Sequence, residues 1–109
     1  MRFMHTSRVV HRDIKPANVL LFEGGLAKLG DLSLSRYFSK KTYECFSVVG
    51  SPYYMSPEAI HSETGYSYKS DLWSLGCLLY ELATLRFFPL LLASILANSH
   101  YTECERKNE

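Results

Sequence analysis

The chain has 109 residues, of which 47 % are hydrophobic and 14 % aromatic, a composition that suits one small folded domain and excludes wholesale disorder. Its formal net charge of +1 gives no electrostatic case for nucleic acid or an anionic membrane as partner. The cysteines, Cys45, Cys77 and Cys104, form an odd set without metal-ligand spacing. Reduced thiols in a cytoplasmic protein are therefore expected, with nuclear or cytoskeletal association as variants.

Nothing at the start has the charged and apolar pattern of a signal peptide. Arg8, Val9 and Val10 predict a brief strand leading into His11. Residues 11–18 read HRDIKPAN and hold an acid, a lysine and an asparagine in one turn-forming segment, with Pro16 fixing a backbone angle and lacking a helical donor. Two short apolar runs follow, Val19–Phe22 and Leu26–Leu29, separated by Glu23, Gly24 and Gly25. They predict a hairpin that returns Asp31, in GDLS, to the first loop.

Phosphoryl transfer suits such a set, because it needs a base to orient a hydroxyl, ligands for magnesium and a cation for the moving charge. Asp13 is placed for the base, Lys15 for the cation, and Asn18 with Asp31 for the metal. Taken singly, Asp13 and Asn18 would pass as ordinary turn formers. Their separation, with Lys15 between, favours the chemical reading.

Residues 34–49 mix basic, aromatic and hydroxyl side chains without a sustained period and predict a long loop. Glu63, Thr64, Gly65 and Tyr66 predict a turn. Ser70 is the expected N-cap of a helix beginning at Asp71, whose Leu72, Leu75, Leu78, Leu79 and Leu82, widened by Trp73 and Tyr80, predict burial on most sides. Cys77 on that helix is expected to fill the core. The apolar run at residues 87–97 is interrupted by Pro89 and is shorter than the roughly 18 to 20 residues that cross a bilayer, so no membrane span is expected. The charged end at 100–109 reads as a solvated terminus.

HRDIKPAN, GDLS, GSPYYMSPE and SDLWSLG, in this order, resemble the catalytic core of eukaryotic protein kinases. The wording of KLGDLSLSRYFSKKT, SVVGSPYYMSPEAIH and YKSDLWSLGCLLYELA is most similar to the NIMA-related serine/threonine kinases, in particular the short members six and seven. The resemblance implies an α+β fold corresponding to part of the large lobe, mainly helical with a small hairpin beside the catalytic loop, the small lobe being absent. Residues 1–84 would form this partial kinase domain and 85–109 a divergent tail. Residues 1–7 would end the helix that precedes the catalytic loop.

Roles follow by the same resemblance. His11 would pack in an apolar column together with Leu32, and Leu20 would floor the adenine pocket, although periodicity alone makes it a buried strand leucine. Arg12 would receive a phosphate on the activation loop, with Ser47 as the phosphorylated residue and Thr42 and Tyr43 as weaker candidates. The Ser51 hydroxyl would bond both Asp13 and Lys15. Glu58 would lack the arginine it pairs with in the family, and Asp71 would hold the backbone of the catalytic loop. Lys15, two positions after the aspartate, points to serine and threonine acceptors. Ser33 stands where the family places glycine, and would bias the orientation of Asp31.

The implied activity is transfer of the ATP γ-phosphate, with Mg2+, to protein Ser/Thr hydroxyls, and an activating kinase or regulatory protein is the further partner expected. The sequence contains no glycine-rich phosphate loop, so little activity is expected of these residues alone. The competing readings are a non-catalytic interaction module derived from a kinase, and the product of a truncated gene.

Overall fold

The computed structural model describes residues 1–41, 50–60 and 65–86. A short helix α1 (Arg2–Thr6) leads into strand β1 (Val9–Val10). Beyond the loop at 11–15 and a 3-10 turn at Pro16–Asn18, β2 (Val19–Phe22) and β3 (Leu26–Leu29) pair antiparallel, Val19 opposite Leu29 and Phe22 opposite Leu26. Gly24, at φ +77°, takes the left-handed angle that their tight connection requires. The expected hairpin is present with its expected bounds.

Strand β4 (Arg36–Tyr37) pairs antiparallel with β1, Val10 opposite Arg36, and Phe38 N–H donates to the Arg8 carbonyl at 2.7 Å. The loop expected over 34–49 therefore begins with a strand. Its pairing partner lies far back in the chain, and two residues are too short to show a period. Phe38 is fully buried and meets Tyr68 edge-on, with ring centroids 5.2 Å apart. Val10, Phe38, Met55, Ala59 and Tyr66 make the apolar core directly beneath the loop at 11–18.

After a 3-10 turn at Pro52–Tyr54, the chain forms a single helical turn, α2 (Pro57–Ile60), and then α3 (Tyr68–Thr84). Helix α3 starts three residues earlier than the sequence suggested. Ser67 is its N-cap, and Ser70 closes a capping box by accepting from the Ser67 backbone N–H at 3.2 Å. It ends at Thr84, where Leu85 turns left-handed at φ +54° and returns its N–H to the Glu81 carbonyl.

Burial on α3 is one-sided, contrary to expectation. Ser70, Asp71, Ser74, Cys77 and Leu78 are buried, whereas Leu72, Leu79 and Leu82 are each more than half exposed. Helical periodicity identifies residues that share a stripe, and burial of that stripe requires a second surface, which the described residues do not supply. The same reason explains Leu20, half exposed on the hairpin where a buried strand leucine was expected, and Leu32, 58 % exposed in a turn and outside any packed column. Of the expected turn at 63–66, Gly65, at φ +70°, and Tyr66 are described, while Glu63 and Thr64 lie outside the described residues. Ser47, Thr42 and Tyr43 also lie outside them, as do Cys45, Cys104 and the apolar run at 87–97. Among the described residues no helix is long and apolar enough to cross a membrane.

Candidate active site

Asp71, at the buried start of α3, anchors the loop at 11–18. Its Oδ2 accepts from the His11 backbone N–H at 2.9 Å and its Oδ1 from the Arg12 backbone N–H at 3.0 Å. Arg12 must adopt φ +72° for both amides to face one carboxylate, a conformation that costs a residue bearing a β-carbon about 1 kcal/mol or more. Tyr66 Oη donates to Oδ1 at 2.7 Å and His5 Nε2 donates to Oδ2 at 2.7 Å. Burial, followed by the nearby Asp71 charge and this hydrogen bond, pushes the Tyr66 phenol far above its usual value.

With its backbone held, the loop gathers its polar heads. Asp13 Oδ1 accepts from both the backbone N–H of Ser51, at 3.2 Å, and its hydroxyl, at 2.9 Å. Lys15 Nζ lies 3.1 Å from Asp13 Oδ2 and donates to Ser51 Oγ at 2.7 Å. Asn18 Nδ2 donates to the Asp13 carbonyl at 2.7 Å and to its carboxylate at 3.0 Å, leaving the Asn18 amide oxygen for another partner. Burial tends to raise the Asp13 carboxyl, but the hydrogen bonds from Lys15, Ser51 and Asn18 and the Lys15 charge outweigh it. The group is held below its ordinary value, ionised at neutral pH.

Ser51 reaches Asp13 because Gly50 crosses the loop. At φ +110°, Gly50 lies against the Arg12 carbonyl so closely that a β-carbon would collide with it. The hairpin delivers Asp31 through Gly30, whose N–H donates to the Asn18 carbonyl at 2.8 Å and whose carbonyl accepts from His11 Nε2 at 2.9 Å. Asp13 N–H donates to His11 Nδ1 at 3.2 Å, so the imidazole carries its proton on Nε2 and ties the two loops together. In place of the apolar column with Leu32, fully buried His11 makes this hydrogen-bonded bridge.

Asp31, at φ +56°, exposes its carboxylate at the mouth of the site, close enough that Asp13 and Lys15 each bear on its ionisation. Hydrogen bonds from the Ser33 hydroxyl and backbone hold it below the ordinary carboxylate value. Asp13, Lys15, Asn18 and Ser51 thus form one bonded cluster, with Asp31 beside it and bonded to Ser33. Leu20 lies on the adjoining hairpin, its side chain against Gly30. Buried Arg12 sets its guanidinium over the Tyr66 ring, 5.9 Å from the centroid. Glu58 receives a hydrogen bond from the buried Ser70 hydroxyl at 3.0 Å, a contact that the expectation of an unpartnered acid did not include.

A family model, described as the protein kinase domain, matches residues 1–103. The chain belongs to the protein kinase domain family. The match continues past Thr84, where recognisable motifs stop. Among similar curated proteins, serine/threonine-protein kinase Nek2 of Mus musculus is 54 % identical over 77 residues, 71 % of this chain and 17 % of its own length. Probable serine/threonine-protein kinase nek3 of Dictyostelium discoideum is 38 % identical over 109 residues, 92 % of this chain and 10 % of its own length. Serine/threonine-protein kinase 36 of Pongo abelii is 48 % identical over 81 residues, 74 % of this chain and 6 % of its own length. The chain therefore spans a small part of the relatives it matches, several of which are Nek kinases.

Sequence reasoning missed His5, Tyr66, Tyr54, Ser74 and Glu81. Tyr54 Oη donates to Glu81 Oε2 at 2.7 Å and its carbonyl accepts from the buried Ser74 hydroxyl at 2.6 Å, fastening the segment after Ser51 onto α3. A serine on the buried side of an otherwise apolar helix was the available signal, since such a hydroxyl requires a partner.

Protein kinases use ATP and Mg2+. Among the described residues no cage of His, Cys, Asp or Glu side chains exists. Mg2+ does not require one, because one or two carboxylate or carbonyl oxygens suffice alongside water and phosphate. The Asn18 amide oxygen and the exposed Asp31 carboxylate are hard oxygen donors on adjoining loops, and they fit this demand.

Proposed function

We propose that this chain carries the catalytic and metal-binding loops of a serine/threonine protein kinase that transfers the ATP γ-phosphate to protein hydroxyls. The observation that carries the proposal is the closed triangle of Asp13, Lys15 and Ser51. One carboxylate oxygen accepts both Ser51 donors, while Lys15 spans the other oxygen and the serine hydroxyl. In this reading, Asp13 accepts and orients the acceptor hydroxyl, its ionised state being secured by its own hydrogen bonds. Lys15 places a positive charge where negative charge develops on the transferred group, and Ser51 keeps the two at fixed separation.

Asn18 and Asp31 would hold magnesium, which when bound neutralises charge on the terminal phosphates. Leu20 offers its exposed side chain as an apolar floor for the adenine. Arg12 would answer a phosphate on Ser47. The preference for serine and threonine rests on Lys15 and on the named activity of the relatives.

The test is transfer of label from γ-labelled ATP to casein, compared between the chain and Asp13→Asn. A signal that falls about 100-fold or more in the variant supports the reading. Equal signals, zero included, overturn it for this chain.

A further inference from the structure

The two faces of the β2–β3 hairpin serve different spaces. Directly opposed residues of an antiparallel pair share a face, so Leu20, Phe22 and Lys28 lie on one side and Val19, Ala27 and Leu29 on the other. The first side holds Leu20, the proposed adenine floor. The second turns toward α3, and a pocket of about 270 Å3 lies there.

Buried Ile14 and Leu78 form the floor of this pocket, half-buried Val19, Leu29 and Leu75 its walls, and exposed Ala27 its rim. All these side chains are aliphatic, so they offer a polar guest no hydrogen bond in return for the water it gives up. Lys28 also borders the pocket, but its ammonium lies 4.7 Å from the centroid of the Phe22 ring, and Phe22 belongs to the other face of the hairpin. The lysine charge is therefore not available to an anion in the pocket. Size narrows the class further: an apolar cavity of about 150 Å3 takes a benzene-sized guest, so about 270 Å3 suits a hydrophobic molecule of about ten carbons or fewer.

We infer that this pocket binds a small neutral apolar molecule, of the size of a one- or two-ring hydrocarbon, behind the loop at 11–18. Chain neighbours fix that position. Ile14 stands between Asp13 and Lys15, and Val19 directly follows Asn18, so the pocket backs onto the segment whose polar heads form the bonded cluster. The site does not rest on the proposed transfer reaction, because no residue of its lining takes part in that reaction.

Toluene is the probe, and benzoate, its anionic counterpart of similar size, is the comparison. Each is titrated into the wild-type chain, and toluene also into Ala27→Phe and Leu79→Lys, with the methyl resonances of isoleucine, leucine and valine followed by NMR. In the wild type the methyls of Ile14, Val19, Leu29, Leu75 and Leu78 should shift together along one saturating curve, while those of Leu72 and Leu82, exposed on α3, stay in place. Benzoate should bind more weakly by about tenfold or more, since its charge must leave water without a partner. Ala27→Phe, which sets a ring in the mouth of the pocket, should weaken toluene by about tenfold or more, and Leu79→Lys should leave toluene binding unchanged. Benzoate bound as tightly as toluene overturns the neutral class. Shifts that never saturate, that spread equally to Leu72 and Leu82, or that persist in a folded Ala27→Phe variant overturn the pocket as a site. Should Ala27→Phe fail to fold, the wild-type map of shifted methyls decides alone. None of these results touches the kinase reading, which the transfer of label tests separately.

Discussion

At the scale of single residues, the local part of the site was legible and the remote part was not. Asp13, Lys15 and Asn18 lie within one turn of chain, so their types and spacing alone brought three heads together. Ser51 is 38 residues from Asp13, and only the family resemblance linked them. What makes that approach possible is Gly50, whose importance in sequence is hidden by the frequency of glycine in turns. Gly50→Ala is expected to lose about 1–3 kcal/mol by combining a forbidden angle with a collision against the Arg12 carbonyl. Gly24→Ala, at φ +77° with open space around its would-be β-carbon, should lose only about 1 kcal/mol. Urea unfolding of the two variants separates strain from collision, and equal losses would show that Gly50 does not press on the loop.

Asp13 also gives the molecule a defined response to acid. Its carboxyl is held below the ordinary value of 3.8, so between the folded and unfolded values the unfolded chain binds more protons. The contribution to stability is fully present above the unfolded value and is lost as pH falls through the folded one. Thermal unfolding followed from pH 5 to pH 2 should therefore show an acid limb that is shallower in Asp13→Asn. Parallel limbs in the two proteins would mean that Asp13 is no better paired in the fold than in the open chain.

At the scale of elements, α3 organises the site by its first turn. The sequence pointed to Ser70 as the N-cap, whereas Ser67 takes that place and Ser70 is its N3 partner in a capping box. The choice matters, since it places Asp71 one turn inside the helix, facing the loop at 11–18. Asp71 is fully buried and satisfies His11, Arg12, Tyr66 and His5 together, the last from 66 residues away. No pattern in the helix itself announces donors so distant. Asp71→Ala would leave two backbone N–H groups, a phenol and an imidazole without their acceptor, and should destabilise the fold by about 3 kcal/mol or more. Asp71→Asn keeps one good acceptor oxygen and should retain part of this stability. Circular dichroism melting distinguishes them, and an alanine variant that melts like wild type would show that the loop is held by something other than this carboxylate.

At the scale of the whole molecule, the arrangement of apolar surface explains why periodicity was a good guide to α3 as a helix and a poor guide to its burial. Leu78 and Leu79 are adjacent, identical in chemistry and equally part of the repeating apolar pattern, yet Leu78 is 5 % exposed and Leu79 is 56 % exposed. Leu78 points toward the hairpin, where it shares with Ile14, Val19, Ala27, Leu29 and Leu75 the lining of a cavity of about 270 Å3. Leu79 lies about 100° further round the helix and is more than half exposed, as are Leu72 and Leu82. Truncation should therefore separate them: Leu78→Ala is expected to cost about 2–3 kcal/mol, the low end for a buried leucine because a neighbouring cavity already limits its contacts, while Leu79→Ala should stay within about 0.5 kcal/mol. Leu79→Lys should likewise be tolerated and should reduce binding of an apolar dye, because it breaks a contiguous exposed stripe. Equal losses for the two alanine variants, measured by urea unfolding at one pH, would place Leu79 under cover in solution and would require a packing surface on that side of α3.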